Sequence, residues 1–132
     1  MDDLREALER LNTDVESTPS PDTEWPAVTR ILGLDAVAEM VGVSGSSARR
    51  YSAGDRVTPD DVADRLHLLA LTIADLLGAY NSYGVRRWFE RRRSALGGAS
   101  PRELLGTDWS SSDDSARQVA ALAAGLVTMT AT

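Results

Sequence analysis

The chain has 132 residues, with 20 acidic and 14 basic side chains and a formal net charge of −6. Every basic residue other than the one histidine is an arginine, and there is no cysteine. These counts exclude a disulfide framework, a thiolate nucleophile, a cysteine-type zinc site and an iron–sulfur cluster. The length suits one compact domain, with or without a small appendage.

The charge is distributed unevenly along the chain. Residues 1–24 hold eight acids and two arginines, whereas residues 81–105 hold six arginines and two acids. The overall acidity therefore does not argue against binding to nucleic acid, because the local field decides such binding. We see neither a targeting segment nor an apolar run long enough for a membrane helix, so we expect a cytoplasmic protein.

Residues 1–24 are predicted to form an acidic arm and linker. Leucines at positions 4, 8 and 11 have helical spacing, which predicts either a short amphipathic helix or a solvated, partly ordered arm. Residues 12–24 mix proline and serine with acids, as is typical of a linker.

From Trp25 onward the apolar residues have helical spacing, and glycines and prolines interrupt the pattern. No segment shows the alternation of a strand over a useful length. We therefore expect an all-α fold with about seven helices. The predicted helices cover residues 25–32, 34–41, 44–53, 58–77, 82–93, 100–105 and 112–126.

Capping residues indicate where four of these helices begin. Ser44 and Ser112 are predicted N-caps. In the run Thr58-Pro59-Asp60-Asp61, threonine caps, proline takes the first helical position and acids fill the first turn. The run Ser100-Pro101-Arg102-Glu103 is a capping box. The apolar residues predicted to face inward in the second half of the chain are Val85, Trp88, Phe89, Leu96, Leu104, Leu105, Val119, Leu122, Ala123 and Leu126.

Residues 34–51 meet the packing requirements of a helix-turn-helix. This motif needs a small residue where the helices cross, a turn residue that tolerates positive φ, an apolar residue that seals the turn, and small or apolar residues facing inward. The residues at the matching positions are Ala38, Gly42, Val43, Ala48 and Tyr51. The alternative is an ordinary αα-corner without DNA contact.

If the second helix enters a major groove, its outward arginines can pair with guanine edges, and its serines can contact phosphate or base. A monomer would bind weakly, so specific binding requires a dimer or a larger assembly. The DNA-binding candidates are Ser44, Ser46, Ser47, Arg49, Arg50 and, as a phosphate contact, Arg56. The stretch from Gly42 to Tyr51, followed by Gly54, Pro59 and Arg65-Leu66, resembles the Xre-type helix-turn-helix of bacterial repressors.

A second motif occupies residues 84–105. Its pattern is a tryptophan with an apolar neighbour, a leucine with two glycines, a Ser-Pro pair, and an acid with two leucines. The residues that carry it are Trp88-Phe89, Leu96-Gly97-Gly98, Ser100-Pro101 and Glu103-Leu104-Leu105. The motif resembles the toxin-binding domain of Xre/MbcA/ParS antitoxins, and with the first motif the resemblance covers roughly residues 25–127.

The resemblance implies an Xre-like helix-turn-helix domain over residues 25–80 and a small helical toxin-binding unit with a C-terminal tail over residues 81–132. It implies a type II antitoxin, without enzymatic activity or cofactor, that blocks the active site of a NAD-degrading RES-domain toxin. The complex would repress its own operon by binding operator DNA, with the antitoxin as a homodimer inside a larger assembly. Two rival hypotheses are a plain transcriptional repressor and a protein–protein adaptor that no longer touches DNA.

The predicted toxin-binding residues include a dense arginine cluster and the end of the last helix. The arginines have the charge to meet an acidic partner surface or a phosphate backbone, or they form a solvated helix face. A further hypothesis is that the acidic arm lies over these arginines until a partner displaces it. The tail is either a plug for the toxin active site or a frayed terminus, and Gly97-Gly98 also suits a tight turn. The predicted residues are Arg86, Arg87, Arg91, Arg92, Arg93, Gly97, Gly98, Leu126 and Val127.

No residue set satisfies the requirements of an active site. His67 lies between two leucines, which favours a partly buried structural histidine. Residues 110–114 contain serines and aspartates without a base, which is typical of a loop followed by a helix cap. We therefore predict neither catalytic nor metal-binding residues.

Overall fold

The computed structural model describes residues 18–131 of the chain, with side chains up to residue 126. The predicted all-α fold is confirmed, since the described residues form seven α-helices and one short 3₁₀ helix and contain no strand. Residues 2–11, for which the sequence predicts either a short amphipathic helix or a solvated arm, lie outside this range. The elements are α1 (Pro21–Leu32), α2 (Leu34–Val41), α3 (Gly45–Ala53), α4 (Asp60–Leu76), α5 (Ser82–Glu90), the 3₁₀ helix (Ser94–Leu96), α6 (Pro101–Leu105) and α7 (Asp114–Ala131).

Helix α1 begins at Pro21, so the prediction of a linker through residue 24 is wrong at its end. Proline suits the first position of a helix, because the N–H that it lacks would have no partner there. The Glu24 carboxylate accepts a hydrogen bond from the Ser20 N–H at 3.1 Å, which satisfies the backbone at the start of the helix. Glu24 is fully buried rather than solvated, so it belongs to the folded domain.

The buried Glu24 carboxylate is paired with His67 on α4. The Glu24 Oε2 to His67 Nδ1 distance is 2.7 Å, and the His67 side chain is only 13 % exposed. This confirms the expectation of a partly buried structural histidine. Burial raises the pKa of Glu24 above its usual 4.5. The hydrogen bond and charge of His67 and the hydrogen bond from the Ser20 N–H act in the opposite direction, but they do not outweigh burial.

This raised pKa makes folding stability depend on pH. Above pH 4.5 the unfolded chain loses the Glu24 proton while the folded chain retains it, so the free energy of unfolding falls as pH rises towards the folded pKa. We expect Glu24→Gln to remove this fall, measured as the urea midpoint from about pH 4.5 to about pH 7. Asp22→Asn, at an exposed position of the same turn, is the matched control. An unchanged slope in Glu24→Gln would contradict the assignment.

One hydrophobic core extends through all seven helices. Helix α4 lies at its centre, with α1 on one side and α7 packed along it. The core contains residues from both sides of the predicted domain boundary at residue 80, among them Trp25, Leu69 and Val119. Most of the residues predicted to face inward in the second half are buried, with Leu104, Leu122 and Leu126 partly buried against the core.

Two helix starts differ from the prediction because side-chain oxygens have other partners. Helix α4 begins at Asp60, and Thr58 does not cap it; the Thr58 hydroxyl accepts a hydrogen bond from the Trp25 indole N–H at 2.9 Å. Helix α7 begins at Asp114, two residues after the predicted cap Ser112, whose hydroxyl lies 3.0 Å from the Ser110 hydroxyl. The predicted Ser44 cap and the capping box of α6 are confirmed. Within the described range, no helix combines the length and the apolar character needed to cross a membrane.

Candidate functional site

Helices α2 and α3 pack against each other across a three-residue connection, residues 42–44. Gly42 has φ 77° and ψ 34°, the left-handed conformation that the sequence predicts for this position. The Val43 N–H donates to the Ala38 carbonyl at 2.9 Å, and the Gly42 N–H donates to the Glu39 carbonyl at 3.2 Å. These two bonds form a Schellman motif, which ends α2 and turns the chain sharply into α3.

The outward face of α3 presents two arginines. Arg49 and Arg50 are exposed, while Ala48 and Tyr51 bury the opposite face. In the part of the chain that the structure describes, neither arginine has a carboxylate within 4.0 Å. Their guanidinium groups therefore remain available to a ligand.

Two of the three serines predicted to contact DNA, Ser44 and Ser47, form hydrogen bonds with each other at the start of α3. The Ser44 hydroxyl accepts a bond from the Ser47 N–H at 3.1 Å and lies 3.0 Å from the Ser47 hydroxyl, so it serves as the N-cap of α3. Ser47 is half-buried, whereas Ser46 is exposed. Of the three serines, Ser46 is thus the one whose hydroxyl is least constrained by the cap.

Arg56 lies in the loop that follows α3 and is anchored to the core by stacking. Its guanidinium carbon lies 5.9 Å from the centre of the Tyr51 ring. The Tyr51 ring in turn stacks on Trp25, with ring centres 6.0 Å apart. Arg56, the predicted phosphate contact, is exposed, and its contact with Tyr51 holds it close to the end of α3.

A loop from the second half of the chain covers the α2–α3 turn. The Trp109 indole N–H donates to the Met40 carbonyl at 2.8 Å. Arg65 donates from Nη1 to the Val41 carbonyl at 2.6 Å and from Nε to the Trp109 carbonyl at 2.7 Å. We call this arrangement the Trp109 clamp, and it satisfies carbonyl groups that the end of α2 leaves without helical partners.

The loop that carries Trp109 gives a second reason why residue 42 must be a glycine, because the loop backbone lies close to it. A Cβ atom at Gly42 would lie 2.5 Å from the Thr107 carbonyl oxygen. The sequence marks Arg65 only as part of the stretch that resembles a helix-turn-helix, and it does not mark Trp109 as a partner of α2. The only local signal was one large aromatic residue inside a polar loop of serines and aspartates.

The predicted arginine cluster is split by the end of α5. Arg86 and Arg87 lie on α5 and are exposed, but α5 ends at Glu90, so residues 91–93 are extended rather than helical. The prediction of a helix to residue 93 is therefore wrong. The cause is tertiary: the Arg93 guanidinium lies over the Trp88 ring, 5.2 Å from its centre, and the Arg93 backbone N–H donates to the Ala99 carbonyl at 3.1 Å.

Two further arginines of this region, Arg92 and Arg102, pair with acids of the fold, whereas Arg91 is exposed. Arg102 donates to Glu90 at 2.6 Å and also pairs with Glu39, which connects α6 to both α5 and α2. Arg92 pairs with Glu103 at 3.3 Å. The backbone N–H of Ser100 is the main cause of a lowered pKa at Glu103. These pairs surround a groove of about 400 Å³ whose carboxylates already have partners.

The remaining predicted partner contacts lie at turns and near the C-terminus. Gly97 and Gly98 are exposed at positive φ, 69° and 89°, which confirms the predicted tight turn. Leu126 is partly buried against the core, and the Val127 side chain lies outside the described residues. Helix α7 continues to Ala131, so the backbone of the predicted tail is helical up to that residue.

Among the described residues, no three acidic, histidine or cysteine side chains lie together in a way that suits a metal ion. No protein-family model, curated protein or solved structure matches the chain. The exposed arginines and the geometry around them are therefore the observations that bear on function.

Proposed function

We propose that the chain is an antitoxin that binds operator DNA through α3 and occludes a RES-domain toxin through its C-terminal helices. The observation that carries the DNA-binding half is the exposed pair Arg49 and Arg50, which follows a glycine turn and has no carboxylate partner among the described residues. The toxin-binding half rests on the resemblance of residues 84–105 to the antitoxin motif. The helix-turn-helix residues precede the residues that resemble the toxin-binding motif, and this order supports the resemblance to the antitoxin family.

In the DNA complex, α3 would enter the major groove. Arg49 or Arg50 would pair with the O6 and N7 atoms of guanine, and Ser46 would contact phosphate or base. Arg56 would contact the phosphate backbone and fix the register. A homodimer would double this small footprint and allow specific binding to a two-fold symmetric operator.

Toxin neutralisation would be stoichiometric occlusion rather than chemistry. The toxin would contact the exposed arginines of α5, the Gly97-Gly98 turn and the end of α7. Supporting this proposal, Arg86 and Arg87 are exposed, and the two glycines project at a surface turn. Arg93 stacks on Trp88, so it would support this surface more than it would contact the toxin.

The test of the DNA-binding half is a double substitution on α3. We expect Arg49→Ala with Arg50→Ala to weaken binding to the promoter fragment of its own operon by at least about 30-fold, because the homodimer would lose one guanine contact of about 1–3 kcal/mol in each half-site. Fluorescence anisotropy at several salt concentrations measures the affinity and the number of phosphate contacts. Arg30→Ala with Arg117→Ala removes the same charge from exposed positions on α1 and α7 and should change the affinity much less.

The same variants separate the rival functions when the chain is co-expressed with the RES-domain protein of its operon. The proposal expects capture of the toxin by both the α3 variant and the unchanged protein. DNA binding without capture would favour a plain repressor, and capture without DNA binding would favour an adaptor. If the α3 variant keeps its full affinity for DNA, the assignment of α3 is wrong.

A further inference from the structure

We infer that the exposed face of α5 and the residues before it bind a carboxylate-rich segment of a partner protein. We call this face the Arg87 surface, and it consists of Tyr80, Tyr83, Arg86 and Arg87. The inference deepens the proposed function, since it assigns a chemistry to the partner surface. Only the identification of that partner as a toxin rests on the proposed function.

The positive charge of the Arg87 surface is not neutralised within the fold. Helix α5 has one acidic residue, Glu90, and its carboxylate is turned towards Arg102 at 2.6 Å. Over residues 18–126, no carboxylate lies within 4.0 Å of Arg86 or Arg87. Arg86 and Arg87 are thus exposed and carry two positive charges that no internal ion pair compensates.

Arg87 is held in place before any partner arrives. Its guanidinium carbon lies 5.7 Å from the centre of the Tyr83 ring, and its Nη1 donates to the Tyr83 hydroxyl at 3.3 Å. Tyr83 is itself 59 % exposed. A stacked guanidinium loses less conformational entropy on binding than a free one, and arginine and tyrosine are enriched among residues that dominate protein interfaces.

Tyr80 extends the aromatic part of this surface. A Cβ atom at Gly84 would lie 2.9 Å from the Tyr80 Cβ and 3.2 Å from its ring, so the glycine lets Tyr80 lie close against the first turn of α5. Three large hydrophobic or aromatic side chains are exposed in the described residues, and two of them are Tyr80 and Tyr83. Aromatic area and uncompensated positive charge are therefore concentrated at one place.

The arrangement favours a protein carboxylate over a nucleic acid. The Arg87 guanidinium already covers one face of the Tyr83 ring, the kind of surface on which a base would stack. The planar arginine fork matches a carboxylate with two parallel hydrogen bonds. Arg86 and Arg87 supply two adjacent charges, so a short segment with two or more carboxylates matches them.

The test uses labelled poly-L-glutamate of about 20 residues as the probe and the full chain at low salt, followed by fluorescence anisotropy. We expect Arg86→Ala with Arg87→Ala to weaken binding at least about tenfold. Tyr83→Ala should weaken binding about threefold or more, because Arg87 loses its support. Arg30→Ala with Arg117→Ala is the matched control and should change the affinity less than about twofold. Urea midpoints establish that each variant remains folded.

Three results would overturn the inference: no binding of poly-L-glutamate by the unchanged protein, equal losses in the two arginine pairs, or tighter binding of an equally charged oligothymidylate that is lost in Arg86→Ala with Arg87→Ala. The probe does not involve a toxin, so the two proposals fail separately. Binding of poly-L-glutamate without capture of a RES-domain protein would sustain the Arg87 surface and refute the toxin. Capture without binding of poly-L-glutamate would do the reverse.

Discussion

Replacing Arg65 with methionine is expected to lower the free energy of unfolding by about 2–6 kcal/mol, because the substitution leaves two buried carbonyl oxygens without their donor at about 1–3 kcal/mol each. The Arg65 side chain is 9 % exposed and donates to the carbonyl oxygens of Val41 and Trp109. Methionine preserves much of the volume but leaves both oxygens buried without a donor. Urea denaturation at neutral pH measures the change.

Arg65→Lys is the informative control for this prediction. Lysine retains the positive charge beside Asp61 and Asp108, which lie 3.4 and 3.7 Å from Arg65 Nη2. It lacks the planar fork that reaches two carbonyl groups at once. An intermediate loss of stability would therefore assign the effect to geometry, whereas a lysine variant as stable as the unchanged protein would show that charge alone matters.

Replacing Trp109 with alanine is expected to cost a similar amount, about 3–5 kcal/mol, which is typical of a buried aromatic residue. Trp109 is 4 % exposed although it lies in a loop, and its indole N–H donates to the Met40 carbonyl at 2.8 Å. Trp109→Phe keeps most of the apolar contact and loses this bond, so it should cost about 1–2 kcal/mol. Both values come from urea or thermal unfolding.

A double-mutant cycle between the two positions tests whether the clamp acts as one network. The Trp109 carbonyl accepts a bond from Arg65, and both residues satisfy the end of α2. We therefore expect the loss in the double variant to fall short of the sum of the single losses by at least about 0.5 kcal/mol. Strict additivity would mean that the two side chains stabilise the fold independently.

Much of the fold could be predicted from local signals, because each of these features depends on residues that lie close together in the chain. The left-handed conformation of Gly42, the cap formed by Ser44 and the capping box at Ser100 all follow from short-range chemistry. The outward position of Arg49 and Arg50 follows from the inward position of Ala48 and Tyr51 in the same helix.

Other features required contacts between distant parts of the chain. The bond from Trp109 to Met40 spans 69 residues, and the bond from Arg65 to Trp109 spans 44. Proline, serine and acids are equally typical of a linker and of a helix start, and only the buried partner His67 distinguishes them at Glu24. The end of α5 likewise depends on the position of the Trp88 ring under Arg93, because arginine itself is a good helix former.

The Trp109 clamp bears on how this protein can be divided. A fragment that stops at residue 80 would contain α2 and α3 in full, yet it would lack Trp109 and the whole of α7. Because one hydrophobic core includes residues from both sides of this boundary, we expect the exposed face of α3 and the Arg87 surface to share a single folding equilibrium. Any ligand that binds the native C-terminal helices shifts this equilibrium by mass action. We therefore expect such a ligand to protect α3 from proteolysis as well.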